Sequence, residues 1–150
     1  MPQILSTVPA VLDALVAAAR QVLPNVQVLD GQPVTSTEPD VIAVGFTGIP
    51  GEAAVQATEE RAQMGIAPDR ERYDITCLAS ALRGETDAQA VRLRAFELLE
   101  AIRSELRRDP TLGGLVMSAR LAVLSLTAQQ TSAGAEATVQ FIVRIDAFTR

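Results

Sequence analysis

The sequence predicts an α+β fold, in which an antiparallel-dominated, mixed sheet packs against two main amphipathic helices and carries a long extended arm or hairpin. Three observations lead there. Residues 73–148 read as a strand, a capped helix, a glycine-rich break and two long strands joined by a hairpin. A second helical stripe opens the chain at residues 9–23. Strands this long beside only two clear helices indicate a sheet covered on one side.

The first helix places Val8, Val11, Leu12, Leu15, Val16, Ala19, Val22 and Leu23 on one face, the stripe of a 3.6-residue period. Thr7 offers a cap, Pro9 suits the first turn and Pro24 marks the end. A short strand at 26–29 follows, then a turn at Asp30-Gly31, a polar loop through 35–39 and an apolar run at 41–46. Residues 47–70 are punctuated by Gly48, Pro50, Gly51, Gly65 and Pro68. Propensity alone allows a helix over 52–64, but its apolar residues share no good face. An extended hairpin, projecting as an arm, is the expectation.

From Tyr73 the pattern clears. Tyr73, Ile75, Cys77, Ala79 and Ala81 alternate with Asp74, Thr76, Leu78 and Ser80, so this strand has one better-buried face. Gly84 ends it. Thr86, with Gln89 three residues on, makes a capping-box pattern for the next helix. The inner stripe of that helix is Ala88, Val91, Ala95, Phe96, Leu98, Leu99, Ile102 and Leu106, with Arg92, Arg103 and Arg107 largely on the other side. Arg107 and Arg108 suit the negative end of the helix dipole, and Pro110 forbids continuation. Strands at 115–127 and 136–148 then flank a small-residue turn at 131–135. In the last strand Ala137, Val139, Phe141, Val143, Ile145 and Ala147 share one face, and Gln140, Arg144 and Asp146 the other.

At 150 residues a single domain, 1–150, is expected, long enough to bury a core without disulfides or metals. Aromatics are only 3% of the chain, so aliphatics pack the core, with Phe96, Phe141 and Tyr73 as larger fillers. The net charge is −5 and every basic residue is arginine. Such a protein meets repulsion at a phosphate backbone, which argues against gripping DNA but allows DNA to slide past. No stretch is long enough to span a membrane, and Met1-Pro2-Gln3 is not the basic start of a signal peptide. One cysteine allows no internal disulfide, which suits folding in a reducing cytoplasm.

The residues of chemistry are nearly absent. An apolar strand runs into Gly45-Phe46-Thr47-Gly48-Ile49-Pro50-Gly51, and strand, glycine loop and helix would make a phosphate site. The spacing matches neither nucleotide fingerprint, Pro50 removes a backbone donor, and no lysine exists to meet a phosphate. Glu59, Glu60, Asp69, Glu71 and Asp74 lack the histidines or extra cysteines of a transition-metal site. Interleaved Arg61, Arg70 and Arg72 point instead to a solvated, salt-bridged segment. Cys77 and the serines Ser80, Ser104, Ser118 and Ser125 have no imidazole to activate them. The expectation is no enzyme, with no catalytic, cofactor-binding or metal residue. Long strands leave edges, and an edge is either blunted or paired with another chain.

The runs Tyr73-Asp74-Ile75-Thr76-Cys77 and Arg83-Gly84-Glu85-Thr86-Asp87 resemble the tail terminator proteins of long-tailed, siphovirus-like bacteriophages. The helix ending in Leu106-Arg107-Arg108-Asp109-Pro110-Thr111-Leu112-Gly113-Gly114 and the closing strand at 139–148 carry the same resemblance. It covers the second half well and the first helix and 41–46 loosely, through structural motifs. It implies a structural virion protein that caps the head-proximal end of the tail tube as a hexameric ring, ends tube polymerisation and offers a joining surface to the neck. Implied partners are further copies of the chain, the major tail tube protein and neck or head-completion proteins. DNA would pass through the lumen without specific binding, and no membrane is involved. The place implied is the tail–neck junction of the virion, with assembly in the host cytoplasm. Interface residues are then expected at Gly48, Pro50, Glu59, Arg61 and Arg70 on the arm, at Arg92, Arg103 and Arg107 on the helix, and at Gly134 by the hairpin tip. The alternatives are another neck protein, such as a head-closure or tail-completion protein, and a small ligand-binding domain using the loop at 45–51.

Overall fold

The computed structural model describes residues 5–32, 38–60, 69–84 and 87–149. Their elements are α1 (Val8–Val22), β1 (Gln27–Asp30), β2 (Asp40–Val44), β3 (Val55–Glu60), β4 (Arg70–Arg83), α2 (Ala88–Arg108), β5 (Ser118–Thr131) and β6 (Gly134–Phe148). The strands form one sheet in the order β1-β2-β4-β6-β5, and β3 joins the edge of β4 that β2 uses further along. Only β1 and β2 run parallel. The fold is therefore the expected α+β arrangement of a mostly antiparallel, mixed sheet with two helices. Residues 55–60, expected within an arm, are a strand of this sheet.

The inward faces of β4 and β6 build the core as their alternation requires. Tyr73, Ile75, Cys77, Ala79 and Ala81 meet Ala137, Val139, Phe141, Val143, Ile145 and Ala147, all of them buried. Against them α2 lays Val91, Ala95, Leu98, Leu99, Ile102 and Leu106, and α1 lays Val11, Leu15, Val16 and Ala19. Phe96 departs from expectation and is 41% exposed. One step of 100° beyond Ala95 carries it off the buried stripe and onto the flank of α2.

The helix starts also differ from expectation, for electrostatic reasons. α2 is capped by Asp87, whose carboxylate accepts the Ala90 N–H at 3.0 Å, while Thr86 lies outside the described residues. Thr7 sits at the cap of α1 but makes no side-chain bond to its own helix. Its hydroxyl donates to Glu71 Oε1 at 2.6 Å, and its N–H reaches the same oxygen at 2.9 Å. Ser6 donates to Glu71 Oε2 at 2.7 Å and accepts the Val8 N–H at 3.1 Å. With the Thr7 proton committed, the Tyr73 hydroxyl, 2.8 Å away, is the donor to Thr7 Oγ1. Burial pushes the Tyr73 phenol up to about 12.

Glu71 was expected in a solvated, ion-paired segment. It is only 2% exposed, because it continues the inward period of 73, 75 and 77. Hydrogen-bond donors at the positive end of α1 take the place of an arginine. Its neighbours do form the expected ion pairs. Arg70 holds Asp146 through Nε and Nη2 at 3.0 and 2.6 Å, and Arg144 meets Asp74 at 3.1 Å. A second tie joins the layers at β2. Burial raises the Asp40 carboxyl, but Arg83 at 2.7 Å and Arg94 at 2.8 Å outweigh it and hold the group below the usual range.

Past α2, the carboxylate of Asp109 gathers the N–H groups of Thr111 and Gly113 and the Thr111 hydroxyl. Leu112, Gly113 and Gly114 all adopt positive φ, so the D-P-T-L-G-G run is a left-handed turn that launches β5. Strands β5 and β6 are longer than expected and meet at a two-residue turn, Ser132-Ala133.

Truncating Glu71 to alanine leaves two hydroxyls and an N–H buried without an acceptor. Glu71→Ala is expected to lower stability by about 3 kcal/mol. Urea unfolding checks this through a lower midpoint at unchanged m.

Candidate functional site

Helix α2 lies over β4, β6 and the first part of β5, and beyond it the edge of the sheet is bare. Every residue at 122–130 is exposed. β5 is an edge strand of 14 residues, and after Arg120 it carries no charge, proline or glycine. Its one interruption is a bulge between Val123 and Ser125. The bulge inserts Leu124 and so keeps Val123 and Leu126 on the same face as their partners Phe141 and Val139. Val123, Leu124 and Leu126 remain 47%, 52% and 40% exposed. Beside them on α2, Leu93 is 61% exposed, and Phe96 joins it. A groove of about 340 Å³ separates the two elements, floored by Leu99 and Leu121 and rimmed by Glu97, Glu100 and Arg103. Exposed apolar side chains grouped around a groove are the mark of an interaction patch. The other end strand is protected differently: β1 has four residues, and Arg20 donates to its Val28 carbonyl at 3.3 Å. An unprotected edge is a pairing surface.

Arginines frame the patch. Spacing along α2 puts Arg92, Phe96, Leu99, Arg103 and Arg107 on the flank that faces β5. Arg103 and Arg107 share a second groove with Arg120 of β5, over Leu106 and Pro110. Arg120 also stands directly opposite Arg144 on the outer face of the sheet, a like-charge pair. Arg144 is neutralised by Asp74, whereas Arg120 has no ion pair among the described residues.

The interface residues expected from sequence scatter accordingly. Arg92, Arg103 and Arg107 come together on the exposed flank. Arg70 is committed internally to Asp146. Gly48 and Pro50 are exposed, in a segment that folds back on the outer face of the sheet. There Phe46 N–H bonds Thr76 O at 2.9 Å, Gln140 Nε2 bonds Thr47 O at 3.0 Å, and a Cβ on Gly48 would come within 3.3 Å of Leu78. Glu59 lies on β3 in register with Glu71, and Arg61 lies outside the described residues. Gly134 is buried rather than presented at the tip. Its φ is +124°, and a Cβ there would fall 1.9 Å from the Arg83 carbonyl oxygen.

Catalytic geometry is not what these surfaces offer. A trough of about 860 Å³ on the outer face is lined by Arg72, Arg120, Arg144, Asp74 and Asp146 among others. Arg70 holds Asp146 ionised, below the usual carboxylate range, so Asp146 is an ion-pair partner and not a proton donor. Burial pushes the Cys77 thiol up to about 12, which leaves it unreactive. The glycine loop at 45–51 leads into strand β3, so no helix N-terminus stands ready for a phosphate. Among the described residues no group of three acidic, histidine or cysteine side chains is placed to hold a metal ion, and no helix is long and apolar enough to cross a membrane.

Fold and surface thus define an α+β protein whose β5 edge, among the described residues, is bare, apolar and framed by arginines. No protein-family model matches the chain, and no curated protein matches it in sequence. Among solved structures it is similar to a chain in the virion of a native gene transfer agent particle, at 9% identity and a TM-score of 0.44, over 91% of each chain.

Replacing exposed edge leucines with lysine removes no buried contact. The double variant Leu124→Lys, Leu126→Lys is expected to keep its unfolding free energy within about 0.5 kcal/mol. It should also bind far less of a hydrophobic dye. A large loss of stability would mean that these side chains belong to the core.

Proposed function

We propose that this chain is a tail terminator subunit, a structural virion protein that caps the head-proximal end of a phage tail tube as a ring. The ring stops tube growth and offers a joining surface to the neck. The observation that carries this reading is the bare edge of β5 with the apolar flank of α2 beside it, since an isolated subunit gains nothing from exposing both. Support also comes from the sequence resemblance, whose strand, helix, left-handed turn and closing strand recur in the fold in the same order. The net charge of −5 suits a ring whose lumen lets DNA slide past without gripping it.

The roles follow from position. The β5 edge and the flank bearing Arg92, Arg103 and Arg107 make subunit contacts. The outer face, with the loop through Gly48 and Pro50, faces either the tube or the neck. The buried Glu71 and Asp40 ties keep both helices seated on the sheet while the edges are engaged. Another neck protein, such as a head-closure protein, would share this architecture and differ in its phenotype.

Electron microscopy of particles assembled with the gene disrupted separates these readings. A terminator predicts tails of uncontrolled length. Tails of normal length lying loose beside filled heads would assign the chain to head–tail joining instead, and unaltered particles would end the virion reading.

A further inference from the structure

Unpartnered charges of opposite sign mark the two ends of the strand order β1-β2-β4-β6-β5. Among the described residues, Arg92, Arg103, Arg107 and Arg120 make neither an ion pair nor a hydrogen bond, and all four frame the β5 edge. Two exposed, unpartnered carboxylates, Asp13 and Asp30, belong to α1 and to the end of β1. Those elements occupy the far side of β4 from β6 and β5. Asp13 shares the flank of α1 that reaches β1, because Arg20, seven residues on, bonds Val28.

We propose that the β5–α2 edge of one copy docks against the α1–β1 side of the next, head to tail, and that this contact drives assembly in solution at low ionic strength. The proposal rests on reading the chain as a ring-forming subunit, and it names the two surfaces that meet. Self-pairing of β5 edges across a two-fold axis would bring the same arginines together, which opposes an isologous contact. A heterologous contact sets arginines against carboxylates. It uses each edge once per copy and closes when the rotation returns to its start. The apolar groove beside Phe96 and Val123 then supplies dry contact area inside a charged rim.

Sedimentation of the full chain with reversed charges tests the pairing. Arg103→Glu with Arg120→Glu disables one edge, and Asp13→Arg with Asp30→Arg disables the other. The wild-type chain should form closed oligomers at low salt, and each double variant alone should sediment as a monomer. An equimolar mixture should regain oligomers in which the two variants alternate, since unaltered edges then meet unaltered counterparts and reversed edges meet reversed ones. The chain carrying all four substitutions should regain oligomers, because its reversed edges complement each other again, and this recovery also excludes misfolding. Three results would overturn the proposal: a wild-type chain that stays monomeric at all concentrations, a double variant that still oligomerises alone, or a fourfold variant that remains monomeric. The particle phenotype is independent of these outcomes. Head-to-tail oligomers from a gene whose loss leaves particles unaltered would remove the tail role and leave the contact standing.

Discussion

Fourteen consecutive cross-strand partners, from Arg70–Phe148 to Arg83–Ala135, tie β4 to β6, and the rest of the molecule is arranged around that ladder. Its inward side is apolar apart from Glu71, and α2 packs there, with α1 beside it over β1 and β2. Its length sets what they can cover. A helix of 21 residues spans about 31 Å, roughly two thirds of the ladder's length at about 3.3 Å per strand residue, and is too narrow to shelter a further strand beside it. β5 therefore pairs fully with β6 and still projects beyond the helix layer. The bare edge is a consequence of two helices serving a five-strand path.

Two buried polar ties keep the layers in place. Glu71 reaches from β4 to the start of α1, and Asp40 reaches from β2 to Arg94 of α2. Both use a carboxylate because its two oxygens accept several donors at once, whereas an apolar contact would allow the helices to slide. Fixing the helices fixes the flank of α2 relative to β5. The apolar groove and the arginines around it therefore form one rigid surface, which in the proposed role would meet a partner without rearrangement.

Legibility in the sequence followed periodicity. The inward residues of β4 and β6 alternate without error, and the stripe of α1 is as clean, so the core was readable. Glu71 shows how charge misleads: its position continues the inward period, yet its company of arginines suggests solvent. β3 could be read only as extended, since Ala57, Glu59 and Glu60 disfavour a strand and only Val55 and Thr58 favour one. It forms because β4 is longer than β2 and offers an unused edge. The expected end of β5 at 127 falls too early because Ala128, Gln129 and Gln130 carry no strand signal, yet they pair with β6. A signal for the bulge was available, as the apolar alternation Ala119, Leu121, Val123 changes phase to Leu126 and Ala128. Gly134 looked like a surface tip, and only the approach of Arg83 explains its glycine. The helix arginines were found by spacing alone, but their grouping with Arg120 needed the register of the sheet.

Hydrogen–deuterium exchange along β5 tests most directly whether this edge is the assembly surface. In the isolated subunit, the amides of 122–130 that point away from β6 should exchange rapidly while those of β4 and β6 stay protected. In assembled particles the same β5 amides should become protected, with the flank of α2 around Phe96 and Arg103 slowing alongside. Unchanged exchange along β5 in the particle, with protection appearing elsewhere, would contradict the account.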